Sequence, residues 1–212
     1  MTPVVDRLTA LGVLPVAEIE RLDQAEGLAD TLSDAGLPAI EVTLRTPVAA
    51  DAIRLLRTRR PDVLVGAGTV LTVEDVDVAL DSGAQFLVSP GVNPAIVAHG
   101  LGRGATFIPG VSTPTEVEAA ISAGAWILKF FPAEPAGGIP YLQALAAPYP
   151  MVRFIPTGGI DATNLAAYLA LPNVTACGGT WMVRRSLLAT DDFATIGRLA
   201  AEAATIGAMR VR

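Results

Sequence analysis

The chain has 212 residues, of which 51% are hydrophobic and 17% charged, a composition that excludes an intrinsically disordered protein. The formal net charge of −6 argues against nucleic acid as a partner, and the apolar runs are too short and too often interrupted to span a membrane. The sole cysteine, Cys177, permits no intrachain disulfide, and the first residues do not resemble a secretory signal, so we expect a cytoplasmic protein.

Short apolar segments alternate along the chain with longer amphipathic ones. The apolar segments predict eight strands: Val13–Val16, Ala39–Thr43, Leu64–Gly68, Gln85–Ser89, Thr106–Pro109, Trp126–Phe130, Arg153–Thr157 and Val174–Gly178. The amphipathic segments predict helices, among them Ile19–Ala35, Pro47–Arg59, Val73–Ser82, Pro94–His99, Thr115–Ala123 and Ala162–Leu171. From the second strand onward, the strand ends recur every 20 to 27 residues, which is typical of parallel βαβ units.

About eight such units predict an α/β fold of the (β/α)₈ TIM-barrel type, with residues 1–212 forming a single domain. A doubly wound open sheet with fewer strands is the alternative. Met1–Leu11 is expected to form a helix that covers the bottom of the barrel, and Asp191–Arg212 a helix that closes it.

Lys129 is the only lysine, since the 15 cationic side chains comprise this residue and 14 arginines. It lies in the apolar run Ala125–Pro132, which predicts a buried strand. A buried lysine amine can lose its proton and act as a nucleophile, whereas an arginine guanidinium stays charged. This pattern favours Schiff-base chemistry with a carbonyl substrate. The alternative is a lysine whose stem is buried and whose ammonium reaches solvent at the strand end.

Side chains alternate across a strand, so Glu41 and Arg45 are predicted to share one face of the second strand. By the same rule Ile127, Lys129 and Phe131 share one face of the sixth strand. Because these two strands lie opposite each other in an eight-stranded barrel, we expect Glu41 and Lys129 to face each other across a central pocket. A purely structural ion pair is the alternative, although buried pairs stabilise poorly. For catalysis we expect Glu41 to act through water or at some separation from the amine.

Two glycine pairs, Gly158-Gly159 and Gly178-Gly179, end the last two predicted strands. In TIM barrels the loops after those strands often bind phosphate, together with a helix N-terminus. Glycine lets the anion approach the backbone closely. Both pairs therefore predict an anion site at the carboxyl end of the barrel.

Six segments resemble the 2-dehydro-3-deoxy-phosphogluconate (KDPG) aldolases, which are also described as 4-hydroxy-2-oxoglutarate aldolases. The resemblance extends from about Leu14 to about Trp181. The segments are Glu41–Thr46, Gly66–Leu71, Ser89–Gly91, Ile108–Gly110, Leu128–Glu134 and Pro156–Ile160.

The resemblance implies a role for each matching residue. Lys129 would be the Schiff-base lysine and Glu41 the general acid and base. Arg45 and Thr69 would hold the carboxylate of the pyruvate half. The remaining roles are pocket lining for Pro90 and Phe131, stereoselectivity for Thr157, and phosphate binding for Gly158, Gly159, Gly179 and Thr180. Thr180 departs from the family pattern, in which we expect serine.

The resemblance also implies a class I aldolase without metal or cofactor, assembled as a homotrimer in the cytoplasm. Its substrate would be 2-dehydro-3-deoxy-6-phosphogluconate, the acid cleaved to pyruvate and D-glyceraldehyde 3-phosphate in the Entner–Doudoroff pathway. The alternatives within the family are 4-hydroxy-2-oxoglutarate and 2-dehydro-3-deoxy-6-phosphogalactonate.

Two hypotheses from other classes remain open on the residues alone. One is a phosphate-binding barrel isomerase or decarboxylase in which Lys129 serves only as a charge. The other is a non-catalytic protein that binds a sugar phosphate. The sequence leaves open the configuration at C4 of the substrate and the preference for phosphorylated or unphosphorylated acids.

Overall fold

The computed structural model describes residues 2–209, in which helices and strands alternate. The strands are β1 (Val13–Ala17), β2 (Ala39–Thr43), β3 (Leu64–Gly68), β4 (Phe86–Val88), β5 (Thr106–Ile108), β6 (Gly110–Val111), β7 (Ile127–Phe130), β8 (Arg153–Pro156) and β9 (Cys177–Gly179). The helices are α1 (Pro3–Leu11), α2 (Gln24–Asp34), α3 (Ala49–Arg59), α4 (Val73–Asp81), α5 (Pro94–Gly102), α6 (Pro114–Ser122), α7 (Gly138–Ala146), α8 (Leu165–Leu169), α9 (Arg185–Ala189) and α10 (Phe193–Met209). Among residues 2–209, no helix has both the length and the apolar character needed to cross a membrane.

The strands form a curled parallel sheet. One set runs β5-β4-β3-β2-β1-β9 and the other β6-β7-β8, and every pairing between named strands is parallel. Only Pro109 separates β5 from β6. Beyond β8, isolated parallel bridges join Phe154 to Val174 and Thr157 to Gly178. The carboxyl ends of the strands therefore gather on one side of the molecule, where ligands of α/β proteins bind.

Side-chain alternation divides the core into two clusters. Ile40 and Val42 of β2, like Leu128 and Phe130 of β7, belong to the large cluster that also contains the buried faces of the helices. Ala39 and the other residues of opposite phase form a smaller inner cluster. The members of that inner cluster are Val5, Leu8, Leu14, Ala39, Leu64, Phe86, Val88, Ile108, Ile127, Ile155 and Ala176. Glu41 and Lys129 share the phase of this inner cluster and continue it toward the carboxyl ends of the strands.

Each of the eight predicted strands overlaps an observed one, with differences that have local causes. The strand predicted for Thr106–Pro109 ends at Ile108, and pairing resumes at Gly110, because the proline between them has no N–H to donate to the ladder. In the strand predicted from Val174, this residue alone makes an isolated bridge, to Phe154, and regular pairing begins only at Cys177.

The helices differ more from the prediction. The helix predicted from Ile19 begins at Gln24, and the one predicted for Ala162–Leu171 is a five-residue helix, Leu165–Leu169. Two helices, α7 and α9, were not predicted; α7 starts at Gly138 and carries Pro140 in its first turn, residues that weaken a helical pattern. At the ends, α1 and α10 match the expected segments, but residues 1 and 210–212 lie outside the described residues.

Candidate active site

Lys129 on β7 and Glu41 on β2 meet on the inner face of the sheet. Lys129 is 7% exposed and Glu41 only 2%. The Lys129 Nζ lies 3.6 Å from the Glu41 Oε1, which is longer than a hydrogen bond and close enough for strong Coulomb attraction. The alternation of the two strands thus predicted the facing pair. The distance is that of a direct ion pair, shorter than the water-mediated or wider spacing that we expected.

Apolar surfaces surround the amine. The Phe131 ring centroid lies 5.0 Å from the Lys129 Nζ, and Ile127 packs in the inner cluster on the same face. Glu41 Oε1 is buried and accepts no hydrogen bond from any group in residues 2–209. A buried carboxylate oxygen without a donor is costly for stability, so its retention indicates a role beyond packing. The free oxygen can accept a proton from a molecule bound beside the amine.

The glycines of β3 make room for this arrangement. A Cβ atom at Gly68 would lie 2.2 Å from Glu41 Oε1, and one at Gly66 would lie 2.2 Å from the Phe86 ring. Neither glycine has a positive φ, so space rather than backbone conformation requires them. Gly68 thus leaves the volume that the carboxylate of Glu41 occupies, and Gly66 leaves the volume of the Phe86 ring.

Lys129 lines a cavity of about 490 Å³ at the carboxyl ends of the strands. Most of the residues expected at the site line it as well. They are Arg45, Phe131, Thr157, Gly158, Gly159, Gly179 and Thr180. Together with Lys129, these residues bring four separate chain segments to one opening.

Arg45 and Thr69 contact each other at the rim of the cavity. Arg45 follows the end of β2, and its Nε donates a hydrogen bond of 3.0 Å to Thr69 Oγ1. Thr69 has φ of 60°, a left-handed conformation that is unfavourable for a β-branched residue. Such outliers persist where the surrounding structure holds them in place, often at functional sites. The contact fixes the orientation of Arg45, which the sequence left undetermined.

Pro90 and Thr69 are not among the residues that line the 490 Å³ cavity. Pro90 lines a neighbouring cavity of about 280 Å³, together with Val70, Leu71 and Ser89. Thr69 reaches the main cavity only through its hydrogen bond to Arg45. Glu41 does not line the cavity either, because it is buried beside the Lys129 amine.

The loop after β8 presents its backbone to the cavity. Gly158 and Gly159 have φ of 99° and 80°, values that side chains disfavour, so glycine is required at both positions. The expected helix N-terminus is absent from this loop, since α8 begins only at Leu165 and has five residues. An anion here would therefore be bound by the loop and by side chains rather than by a helix end.

Glu134 and Tyr168 support this loop through two successive hydrogen bonds. The Glu134 N–H donates to the carbonyl of Gly158 at 3.0 Å, and the buried Tyr168 hydroxyl donates to Glu134 Oε1. Burial first, and then the bond to the carboxylate, raise the pKa of the Tyr168 phenol above its ordinary value. Tyr168 was not predicted as a site residue, because a tyrosine in an amphipathic segment gives no indication in the sequence of such a hydrogen bond.

Charged side chains that the sequence analysis did not single out also line the cavity: Glu18, Arg184 and Arg185. The carboxylate of Glu18 lies 3.7 Å from Arg45 and 3.6 Å from Arg185, which also pairs with Glu20. The lining thus includes four cationic side chains and one carboxylate, in a chain whose net charge is −6. This local surplus of positive charge suits an anionic ligand.

Comparison with known proteins agrees with this geometry. The family model "KDPG and KHG aldolase" matches residues 4–199. Among similar proteins, the 2-dehydro-3-deoxy-phosphogluconate aldolase of Treponema pallidum is 50% identical over 199 residues, which cover 94% of this chain and 95% of that protein.

Two solved structures of similar proteins contain bound ligands. The KDPG aldolase of Legionella pneumophila, with pyruvate captured as a covalent carbinolamine, superposes with a TM-score of 0.90 at 40% identity, covering 94% of this chain and 97% of that one. The 2-keto-3-deoxy-6-phosphogluconate aldolase of Zymomonas mobilis with 3-phosphoglycerate has a TM-score of 0.89 at 39% identity and covers 95% of both chains.

The Tyr168→Phe substitution should lower the free energy of unfolding by ~1 kcal/mol at pH 8, because Glu134 loses its donor. The folded state keeps the phenol proton at pH values where the unfolded chain has lost it, so this contribution is complete below pH 10 and is lost as the pH rises further. The difference between wild type and variant should therefore narrow at pH 11.

Urea unfolding at pH 8 and pH 11 measures both effects. Tyr149→Phe is the matched control, since its hydroxyl bonds Glu118 at 3.1 Å in an exposed position and should contribute less. If the difference in unfolding free energy between wild type and Tyr168→Phe widened at pH 11, or were absent at pH 8, the role given to the Tyr168–Glu134 hydrogen bond would be contradicted.

Proposed function

The chain belongs to the KDPG and KHG aldolase family, and from that premise we propose that it cleaves 2-dehydro-3-deoxy-6-phosphogluconate to pyruvate and D-glyceraldehyde 3-phosphate. It is a class I aldehyde-lyase, which forms a Schiff base with its substrate and needs no metal ion. The observation that carries the proposal is the single buried lysine, held 3.6 Å from a buried carboxylate at the base of a cationic cavity.

Lys129 performs the covalent steps. Its neutral amine attacks the C2 ketone of the sugar acid and forms a carbinolamine, which loses water to give an iminium. The iminium withdraws the electron pair of the C3–C4 bond, so cleavage leaves a neutral enamine and releases an aldehyde. The Glu41 carboxylate, 3.6 Å away, stabilises the positive charge as the iminium forms.

Glu41 moves the protons. Its Oε1, which accepts no hydrogen bond from residues 2–209, takes the proton of the C4 hydroxyl as the C3–C4 bond breaks. The resulting carboxylic acid then returns this proton to C3 of the enamine. Water hydrolyses the iminium that is formed, which releases pyruvate and regenerates the amine.

The remaining side chains position the substrate. Arg45, oriented by Thr69, binds the C1 carboxylate of the pyruvate half through charge-assisted hydrogen bonds. Phe131 bounds the pocket, whereas Pro90 lines the neighbouring cavity, and Thr157 contacts the hydroxyl-bearing carbons that determine stereoselectivity. The phosphate binds at the loops carrying Gly158, Gly159, Gly179 and Thr180, where the methyl group of Thr180 narrows the space that serine would leave.

The scaffold we propose is a closed (β/α)₈ barrel formed as one domain by residues 1–212. Counting β5 and β6 as one strand interrupted at Pro109 gives eight strands, and the bridge from Thr157 to Gly178 supports closure between the last two. The side chains of Val5 and Leu8 in α1 enter the inner cluster, which supports a helix that covers the bottom. On the family resemblance we further propose a cytoplasmic homotrimer that acts in the Entner–Doudoroff pathway.

4-Hydroxy-2-oxoglutarate is the second candidate substrate, because the matching family model covers aldolases of both kinds. It would use Lys129, Glu41 and Arg45 in the same way and would yield pyruvate and glyoxylate. Its distal group is a carboxylate on a shorter chain, so it would not extend to the glycine loops as the six-carbon phosphorylated acid does.

A coupled lactate dehydrogenase assay tests the proposed function. The wild type should release pyruvate from 2-dehydro-3-deoxy-6-phosphogluconate, and Lys129→Arg should release none, because arginine preserves the charge beside Glu41 but cannot form an imine. Circular dichroism should show that the variant is folded. Pyruvate release by a folded arginine variant would contradict the imine mechanism, whereas an isomerase or decarboxylase would release no pyruvate even as the wild type.

Gly68→Ala should lower kcat at least about tenfold, because its Cβ would displace the carboxylate of Glu41 from its position beside the amine. Gly66→Ala is the matched control two residues along the same face, where the added methyl meets Phe86 instead. The control should lose ~1–3 kcal/mol of stability through overpacking while its folded fraction keeps its kcat. An equal loss of kcat in both variants would show that strand β3, and not the position of Glu41, is responsible.

A further inference from the structure

Two adjacent arginines, Arg184 and Arg185, line the cavity, and they differ in their ion pairs. The guanidinium of Arg185 lies 3.6 Å from Glu18 and also pairs with Glu20. Arg184 lines the same cavity and is exposed, but its side chain makes no hydrogen bond or ion pair within residues 2–209. One of two neighbouring charges is therefore neutralised by acidic side chains, and the other is available.

The other cations of the cavity are also engaged. Arg45 lies 3.7 Å from Glu18 and donates to Thr69, and Lys129 faces Glu41. Arg184 is thus the one cavity-lining cation in the described part of the chain without a close carboxylate partner. Because the whole chain is acidic, the attraction of a second anionic group depends on such a local charge.

Arg184 is close enough to the turn after the glycine loop for its charge to act on Asp161. Asp161 follows Gly159 by two residues, and its carboxylate is held by the N–H and hydroxyl of Thr163. These hydrogen bonds, with a further contribution from the positive charge of Arg184, lower the pKa of Asp161. The guanidinium therefore acts electrostatically on the turn that begins at Gly158, although it forms no ion pair there.

We infer that Arg184 binds the phosphate group of the substrate, together with the loop of Gly158 and Gly159, and makes the site selective for sugar acids that carry a distal phosphate. The inference rests on the proposed function. A guanidinium offers planar pairs of N–H donors that match two phosphate oxygens, and a free one need not first leave a carboxylate. The unphosphorylated acid gives Arg184 no anionic partner.

Steady-state kinetics with 2-dehydro-3-deoxy-6-phosphogluconate and the same acid without its phosphate test this inference. Arg184→Ala should raise the KM for the phosphorylated acid about tenfold, with kcat changed less than about twofold, since a charge-assisted contact to phosphate is lost. Its kcat/KM for the unphosphorylated acid should stay the same. Arg184→Lys should give an intermediate KM, because an ammonium cannot bind two oxygens in one plane.

Arg185→Ala is the matched control, because it removes the same charge one residue further along the chain. Its KM for the phosphorylated acid should rise less than about threefold, since acidic side chains already neutralise that guanidinium. A third readout, exchange of the methyl protons of pyruvate with D₂O, requires Lys129 and Glu41 but no phosphate. Arg184→Ala should exchange them at the wild-type rate.

An unchanged KM for the phosphorylated acid in a folded Arg184→Ala protein would overturn the inference. An equal loss of kcat/KM with both acids, or slower exchange of the pyruvate protons, would also overturn it, because either would indicate a structural role. If Arg184→Ala fails to fold, the KM of Arg184→Lys decides in the same way. Failure of the proposed function looks different, since the wild type would then neither release pyruvate nor exchange its protons.

Discussion

The burial of one amine beside one carboxylate is the constraint on which the rest of the site depends. Removing two charged groups from water costs several kcal/mol per ion, and a 3.6 Å separation recovers that cost poorly. A sequence selected for stability alone would place apolar side chains at Lys129 and Glu41. On the inner face, the apolar cluster instead ends at Ile127 and Ile155, and Lys129 and Glu41 follow toward the carboxyl ends of the strands. Strand β3 keeps the necessary volume open with glycine at position 68.

A second constraint is the recognition of anions by an acidic protein. Its net charge of −6 repels a sugar acid at long range, so binding relies on the few cations at the carboxyl ends of the strands. Glu18 and Glu20 hold Arg45 and Arg185 in place but also offset the positive potential that these guanidinium groups present to a ligand. This arrangement divides the cations of the rim into those that are positioned by carboxylates and one, Arg184, that is left for a ligand.

Period-two alternation allowed the facing pair to be predicted, because a strand fixes which side chains share a face. It placed Glu41 and Lys129 correctly from sequence alone. The two glycine pairs predicted the anion loops, and the family resemblance added the role of Arg45 in binding the carboxylate. What alternation cannot supply is the position of residues beyond strand ends, where loop geometry takes over. Pro90 is such a residue, because it follows the end of β4, and it lines a neighbouring cavity.

Other features could not be predicted because they depend on tertiary contacts. Tyr168 acquires its role only where α8 packs against the loop that carries Glu134. The short α8 removes the helix N-terminus that was expected beside the glycine pair. The Arg184-Arg185 pair was visible in the sequence, but only the positions of Glu18 and Glu20 distinguish the paired arginine from the free one.

The central claim is that the buried amine forms a covalent bond with a ketone. The most direct measurement is peptide mass spectrometry after the protein has been treated with pyruvate and borohydride, which reduces an imine to a stable secondary amine. We expect one reduced pyruvate adduct per chain, located on the peptide that contains Lys129, and loss of activity in proportion to its formation. An active protein that carries no adduct after this treatment would contradict it.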